Sequence, residues 1–470
     1  MTATAGFAVA AAAAVPVWLH GPATGAGPLV ADRVTVTLLL LVCGVGAVAQ
    51  GFGGRYLAGD PRQTRFAASA GLLTAASAAL VTAATVVVLA ITWTVSGVAL
   101  VLLLATYPHL PAARDSARRA ARALLVGDAA LWVAVGLVVS REGDVDLRQL
   151  GATVGDDPLL PVIACLVVVA ALAHSAQVPF HRWLPASLAA PTPVSALLHA
   201  GVVNGGGVLL VRLDPLVGRS AAALWLAVTA GALTLVYGTA VMLTKPDIKG
   251  ALVWSTTAQM GFMILTCGLR LPAVALFHLI GHGMYKATLF LGSGSAVDHH
   301  RRQVAAPPAP PVTARRAAVA TYALLWPAAV LAATSAIHPV TGPLTVFAWA
   351  TTAAAIWGLL RHAPSWRPGL VAAVGSAVVL PTYLMLAGAA TAAWAPGGGH
   401  SGTTAAAGVI AVVVGALIAV YAARHTPAAS TLYAWTVSTA HVTTRTERAR
   451  RTRPACTAEM PTTVAWGVPS

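Results

Sequence analysis

Long apolar blocks with almost no charged residues constrain this chain more than any other feature of its sequence. Asp, Glu, Lys and Arg make up 9% of its 470 residues and hydrophobic residues 57%, whereas soluble domains carry about 25% charged residues. The blocks are about 20 residues long, which is the length of helix that crosses the hydrocarbon layer of a bilayer. The sequence therefore predicts a polytopic membrane protein and excludes a soluble globular fold.

The fold class is expected to be all-α, because helices and closed barrels are the structures that span lipid, and no block alternates with period two. At about 20 residues a span, the blocks predict about 14 transmembrane helices. Their expected starts lie near residues 5, 34, 67, 89, 119, 158, 194, 220, 249, 272, 317, 341, 368 and 403. The block 66–110 is long enough for two of them. Residues 1–20 have no basic residue before their apolar run, so we interpret them as a membrane helix and not as a signal peptide.

The 29 basic residues outnumber the 14 acidic ones, for a formal net charge of +15. Most lie in connections after even-numbered helices, where basic residues mark the cytoplasmic side. We therefore expect a multi-pass protein of the cell membrane with both termini in the cytoplasm. No continuous basic patch forms, so nucleic acid is not expected as a partner. The cluster from Arg445 to Arg453 is expected to be an ordinary cytoplasmic anchor, and binding of anionic membrane lipids or of a partner is the alternative.

Composition divides the chain into four expected parts. Residues 1–300 are expected to form a membrane domain. Residues 301–316, with four prolines and no aromatic residue, predict an extended cytoplasmic linker. Residues 317–424 predict scaffold transmembrane helices with almost no ionisable groups, and residues 425–470 a basic cytoplasmic tail.

Ionisable side chains within membrane helices are costly, so each marks a candidate functional position. There are seven of them: Asp128, His174, His199, Lys249, His278, His282 and Lys286. The last three recur every four residues, which places two imidazoles and an ammonium on one face of a helix. Lysine can give up its proton where arginine cannot, so this stripe is suited to carry protons. The alternative is that these residues hydrogen-bond neighbouring helices and lock the bundle together.

Prolines and glycines predict a broken helix around His199. Prolines stand at 179, 185, 191 and 193, and glycines at 205, 206 and 207. A broken helix at membrane depth is typical of ion sites in transporters, although a surface loop before an ordinary helix has the same pattern. Asp128 is the lone carboxylate within an apolar block and is either a counter-charge for His and Lys or a helix-end contact. No phosphate loop, HExxH or CxxC motif occurs, so the chain is not expected to be an enzyme or to hold a metal or cofactor.

Three segments carry a specific resemblance: SAQVPFHRWLPASLAAPTPVSALLHAG, DIKGALVWSTTAQMGFM and FHLIGHGMYKATLFLGSGS, beginning at Ser175, Asp247 and Phe277. They resemble the antiporter-like, proton-translocating subunits of respiratory complex I and Mrp antiporters. The resemblance covers about 93–295 and implies that the ion-translocation core lies there. The resemblance implies that His199, Lys249, His278, His282, Lys286 and Asp128 match path residues of the family. Two positions depart from it. His174 stands where complex I relatives have a lysine, and Trp93-Thr94 stands where they have Trp-Glu.

With these two departures, the chain resembles one branch of the family, DabB (MpsA-like). DabB is the membrane subunit of a two-component inorganic carbon pump. That resemblance implies cation (H⁺ or Na⁺) translocation coupled to uptake of CO₂ or bicarbonate. It also implies a DabA-like, zinc-containing partner, so that zinc belongs to the partner and not to this chain. Two alternatives stay open: a subunit of an NADH-quinone oxidoreductase or Mrp-type antiporter, and a non-conducting membrane anchor for a catalytic partner.

Overall fold

A computed structural model describes residues 2–21, 29–154, 157–245, 247–294, 313–337 and 367–394. It also describes residues 345, 348–349, 352–353, 356–357, 360, 408–410, 412–417 and 419. Within these ranges the chain is helical, and extended pairing is limited to isolated bridges. The predicted all-α class is therefore confirmed. Seven of the described helical segments are long and apolar enough to cross a membrane.

The helices up to the proline-rich segment follow the predicted order. They are α1 (Thr2–His20), α2 (Arg33–Tyr56), α3 (Gln63–Thr82), α4 (Val86–Leu104), α5 (Pro111–Glu142), α6 (Leu150–Thr153), α7 (Leu160–His174), α8 (Trp183–Ala186), α9 (Thr192–Ala200), α10 (Gly205–Arg212), α11 (Asp214–Val217), α12 (Ala221–Thr244), α13 (Ile248–Gly268) and α14 (Pro272–Leu291). Side-chain caps start several of them, because the first N–H groups of a helix lack backbone partners. Asp32, Thr85, Ser220 and Asp247 accept such bonds at the starts of α2, α4, α12 and α13.

The block 66–110 does form two helices. Residues 83–85 separate α3 from α4, and Thr85 caps the second helix through the backbone N–H of Val88. Backbone bonds across the break, such as Leu147 N–H to the Ala84 carbonyl at 2.8 Å, satisfy the freed groups. No proline or glycine marks this break, so the sequence placed the start of the second helix only approximately, near residue 89, whereas α4 begins at Val86.

The predicted helix break is present and lies deep in the protein. Helix α7 has 15 residues, which at 1.5 Å a residue is about 22 Å and too short to cross the hydrocarbon layer. Short helical turns continue the chain to α9, and a 3₁₀ turn, Val202–Asn204, separates α9 from α10. Nearly all of the segment Thr192–Arg212 is buried. Its prolines and glycines therefore mark an interior broken helix and not a surface loop.

Contacts between connections show that successive spans alternate in direction. On one side of the molecule, Arg212 pairs with Asp32, and Arg270 pairs with Asp214. On the other side, Tyr107 donates to Asp60 at 2.6 Å and Lys249 lies against Thr192. The Tyr107 hydrogen bond lowers the pKa of Asp60, so the acceptor is ionised at neutral pH. The connections that follow odd-numbered spans thus lie on one side and those that follow even-numbered spans on the other, as the distribution of basic residues requires. Which side faces the cytoplasm stays a prediction.

Two more long helices follow, α15 (Thr313–Ile337) and α16 (Arg367–Trp394). Helix α15 begins inside the segment 301–316 that was predicted as a linker, so its last four residues are helical. The physical reason is that the last proline of this segment is Pro311, and the residues after it favour a helix. Trp326 of α15 donates to Ser376 of α16, and Tyr383 of α16 packs on Phe277 of α14. Residues 301–312 and the tail, 425–470, lie outside the described residues.

Arg212 connects three elements on one side of the molecule through hydrogen bonds. Its guanidinium donates to Asp32 at 3.0 Å, to Thr35 at 3.2 Å and to the Ala83 carbonyl at 2.8 Å. Its side chain is 9% exposed, whereas that of Asp32 is 32% exposed. The end of the broken helix is therefore tied to the start of α2 and to the break between α3 and α4.

We expect Arg212→Gln to lower the free energy of unfolding by about 1–3 kcal/mol, because it removes charge-assisted hydrogen bonds from a buried donor. Thermal unfolding of the detergent-purified protein measures this as a lower midpoint. Arg148→Gln is the matched control, since Arg148 also pairs with an aspartate but is 48% exposed, and it should change the midpoint little. Equal shifts for the two variants would contradict the role given to Arg212.

Candidate ion-translocation site

Helix α14 presents His278, His282 and Lys286 along one face, as their spacing predicts. Lys286 is 1% exposed and His282 is 4% exposed, while His278 is half-buried. The rings of His278 and His282 have centroids 5.6 Å apart. This polar stripe therefore points into the helix bundle and not towards lipid.

The Lys286 ammonium is held by neutral oxygens of α13. Its Nζ donates to Ser255 Oγ at 2.6 Å and to the Leu252 carbonyl at 3.4 Å. Ser255 in turn donates to the same Leu252 carbonyl at 2.8 Å, so its hydroxyl is oriented to accept from the lysine. No carboxylate in the described part of the chain forms an ion pair with Lys286. A buried ammonium without a counter-charge is suited to exchange its proton, because the neutral amine keeps both neighbours as hydrogen-bond partners.

His282 joins the stripe to the broken helix. Its Nε2 lies 3.2 Å from the backbone carbonyl of His199. A carbonyl oxygen can accept but not donate, so Nε2 must carry the hydrogen and Nδ1 of the neutral ring must be the free acceptor. No partner meets this Nδ1. In this arrangement His282 is able to receive a proton at Nδ1.

The His199 side chain lies at the end of α9, in the centre of the protein. It is 0% exposed, stacks on Phe290 at 4.3 Å between centroids, and neither ring nitrogen has a hydrogen-bond partner. Buried polar atoms are nearly always paired. Two unpaired nitrogens beside the helix break are therefore sites where water or a transferred proton can bind.

His174 lies on the opposite side of the break from His199. It is 2% exposed, and its ring packs on Trp93 with centroids 4.1 Å apart. A Cβ atom on Gly205, the first residue of α10, would lie 2.8 Å from His174 Cδ2. The glycine is therefore required for the close approach of this histidine to the broken helix.

A small cavity adjoins the break on the side of His174. It has room for water of about 50 Å³, and His174, Ala200, Gly201, Asn204 and Gly205 are among its lining residues. This exceeds the volume of about 10–15 Å³ that one water needs. His174 Nδ1 and Asn204 Oδ1 are both buried without a partner. The cavity thus offers space and polar atoms for a few waters next to the break.

Asp128 and Lys249 lie at the margins of this arrangement. Asp128 is half-buried on α5 beside Trp93, the ring beneath His174, although the indole N–H makes no hydrogen bond of ordinary geometry to it. Lys249 lies in the first turn of α13 and donates to Thr192 Oγ1 at 3.4 Å. The structure therefore brings His174, His199, His282 and Lys286 together at the broken helix. His278 lies one turn further along α14, and Asp128 and Lys249 lie at the margins of the group.

Thr94 lies where complex I relatives have a glutamate, and here it faces Trp132. Its Oγ1 accepts a hydrogen bond of 3.0 Å from the Trp132 indole, which is 40% exposed at the surface of the bundle. No acid replaces the glutamate at this position. The carboxylate beside the Trp93 ring is that of Asp128 on the next helix.

Several residues of the site were not predicted from the sequence. They are Ser255, Asn204, Phe290 and Ser175, whose hydroxyl donates to the Val203 carbonyl at 2.6 Å. Small polar and aromatic residues are common in membrane helices, so their identity alone did not distinguish them. The signal that existed for Ser175 was its place between His174 and the prolines.

Comparisons of the sequence with known proteins identify its family. The family described as NADH:quinone oxidoreductase/Mrp antiporter, transmembrane, matches residues 83–341. The probable inorganic carbon transporter subunit DabB1 of Halothiobacillus neapolitanus is 36% identical, with 62% of this chain and 53% of the relative covered. A second such subunit of that organism, DabB2, is 38% identical over 58% of this chain and 50% of the relative. NADH-quinone oxidoreductase subunit L of Mycobacterium tuberculosis is 36% identical over 57% of this chain and 43% of the relative.

Solved structures share the fold. A chain of the Mrp complex from Dietzia sp. DQ12-45-1b superposes with a TM-score of 0.61 at 23% identity, covering 97% of this chain and 58% of that one. A chain of an archaeal membrane-bound sulfane sulfur reductase superposes with a TM-score of 0.57 at 18% identity, covering 95% and 92%. The match spans about half the length of the curated relatives. Because the family match covers more than half of the sequence, this chain belongs to the NADH:quinone oxidoreductase/Mrp antiporter family of multi-pass membrane subunits.

Proposed function

We propose that this chain is the cation-translocating membrane subunit of an energy-coupled inorganic carbon transporter. The cation is H⁺ or Na⁺, the substrate is CO₂ or bicarbonate, and the partner is a DabA-like protein that carries zinc. One observation supports translocation above the others: Lys286, His282 and His199 form a buried series that ends at a broken helix beside a cavity. The names of the two Halothiobacillus relatives support inorganic carbon as the substrate.

In this proposal a proton leaves Lys286 for Nδ1 of His282, the one free acceptor on that ring. The two residues lie one helical turn apart, so a water bridges them. Nε2 of His282 faces a carbonyl that cannot take a proton, so His282 has to rotate before it passes charge onward. His199 is the next carrier because both of its ring nitrogens are unpaired.

His174 and Asp128 act together on the far side of the break. A positively charged His174 gains from a carboxylate across the Trp93 ring, since opposite charges favour each other's ionised form. The cavity at Asn204 supplies water between His174 and His199. His278 extends the stripe beyond His282. Lys249 lies where α13 meets the start of α9, and in this proposal it marks one end of the path.

A subunit of a respiratory or Mrp-type complex is the second candidate of the same class. The identity to subunit L of M. tuberculosis is as high as that to DabB1, which favours it. The residues at 94 and 174 weigh against it, because the charged pair of that family is replaced by Thr and His. The same two replacements also favour a candidate of another class, a membrane anchor that holds a catalytic partner and conducts no ions.

We expect Lys286→Met to reduce inorganic carbon uptake at least about tenfold, because it removes a proton carrier from the path. Labelled bicarbonate uptake in cells that express both subunits and lack other uptake systems measures this. Lys245→Met is the matched control, since Lys245 lies at the end of α12 outside the path, and it should keep full uptake. Full uptake by Lys286→Met at normal membrane abundance would reject translocation and favour the anchor.

Gly205→Ala tests the role of the close contact between His174 and the break. The added methyl group would meet His174 at 2.8 Å, and overpacking of this kind costs about 1–3 kcal/mol. We expect uptake to fall at least about fivefold with little change in abundance. Gly136→Ala is the control, because a Cβ atom added at this position of α5 would have no heavy atom within 4 Å. A Gly205→Ala protein with unchanged uptake would show that the contact is only packing.

The partner is tested by purifying the tagged chain from gently solubilised membranes. We expect one large partner to co-purify, with about one zinc ion for each complex by elemental analysis. Mass spectrometry identifies the partner, and optical spectra report flavin and iron-sulfur clusters. Subunits with those redox groups, and no zinc protein, would assign the chain to a respiratory complex.

A further inference from the structure

Helix α5 is longer than the membrane requires and carries a basic arm. It has 32 residues, or about 48 Å at 1.5 Å a residue, against about 30 Å of hydrocarbon. After Arg122 the helix is apolar up to Ser140, with Asp128 as the one ionisable residue of this part. We name residues 111–122 the α5 arm, and it extends from the membrane on the side that the basic residues predict to be cytoplasmic.

The α5 arm has a buried face and a charged face. Ala113, Ala117 and Ala120 are buried against the protein, whereas Arg114, Arg118 and Arg122 are exposed. Their spacing of four residues places these arginines in one line along the helix. None of the three has an ion pair within the described residues, unlike Arg119, which pairs with Asp115 at 2.7 Å. The arm thus presents an uncompensated row of positive charge.

The charge of this row decides what can cover it. The basic segments of this chain at 301–302 and 445–453 would be repelled, and so would the same row on a second copy. Lipid headgroups fit poorly, because the row from Arg114 to Arg122 is about 12 Å long. The headgroup layer on each side of the hydrocarbon is about 5–8 Å thick. The outer end of the row therefore lies beyond the phosphates, within reach of a water-soluble protein.

We propose that the α5 arm docks an acidic surface of the soluble partner subunit. This inference rests on the proposed function, which supplies such a partner. The position of the arm gives the contact a consequence for the site. Helix α5 packs against α8 and against the turn Ser187–Ala189, and this segment leads directly into α9, which carries His199. A partner seated on the arm therefore binds the same helix that packs on the segment leading into the broken helix.

Paired charge variants test the docking surface in the full two-subunit complex. Arg118→Gln with Arg122→Gln should reduce the amount of partner retained on the tagged chain at least about fivefold at low salt, and the difference from the wild type should shrink as salt rises, because screening weakens the wild-type contact. Arg55→Gln with Arg65→Gln removes the same charge on the same side of the membrane, from α2 and α3, and should retain the partner fully. Normal abundance and thermal midpoint of both variants show that neither change acts through folding.

Photo-crosslinking from position 118 identifies what touches the arm. With p-benzoylphenylalanine at this position, we expect a crosslink to a segment of the partner rich in Asp and Glu, located by mass spectrometry. Crosslinks to phospholipid alone, or full retention of the partner by the Arg118→Gln and Arg122→Gln protein, would overturn the inference. If the wild type retains a soluble subunit without zinc, the proposed function fails while the arm is still judged by its crosslinks to that subunit. If the wild type retains no soluble protein, both proposals fail.

Discussion

The carbonyl groups released by the break between α9 and α10 are the constraint on which the rest of this structure depends. In a bilayer no water satisfies such groups from outside, so the protein must do so. Three side chains from three places meet the requirement: Ser175 at the end of α7 bonds the Val203 carbonyl, Asn204 bonds that of Ala200, and His282 of α14 bonds that of His199. The histidine stripe is therefore tied to the broken helix by the need to satisfy its backbone.

This dependence explains which parts of the structure could be predicted from the sequence. Helical spacing alone placed His278, His282 and Lys286 on one face, and prolines and glycines marked the break, because both signals are local. The partner of Lys286 was not predictable, since Ser255 meets it only through the packing of α13 on α14. The break at residues 83–85 was placed only to within a few residues for a related reason. It is stabilised by bonds to residues 145 and 147, far along the chain, and not by a proline or glycine.

The replacement of two charged positions has one electrostatic logic. Removing only one member of a buried Glu–Lys pair would leave an uncompensated charge, which costs about 3–5 kcal/mol. The resemblance implies that both positions are changed here, to Thr94 and His174, and each side chain has an aromatic neighbour: Trp132 for the threonine and Trp93 for the histidine. Charge in the remaining path is then carried by groups that can be neutral, so its movement need not break a fixed ion pair.

The helix pair α12 and α13 links the lysines to the rest of the bundle. The two helices meet backbone to backbone, since a Cβ atom on Gly231 would lie 2.5 Å from the Leu265 nitrogen and one on Gly238 would lie 2.8 Å from that of Ala258. Packing this close favours movement of α12 and α13 as one body. Helix α13 touches α9 through Lys249 and α14 through Ser255, and it also packs on α8. The pair is therefore a contiguous packed connection between the stripe on α14 and the segment that leads into the broken helix. A packed element of this kind is the physical requirement for coupling the two.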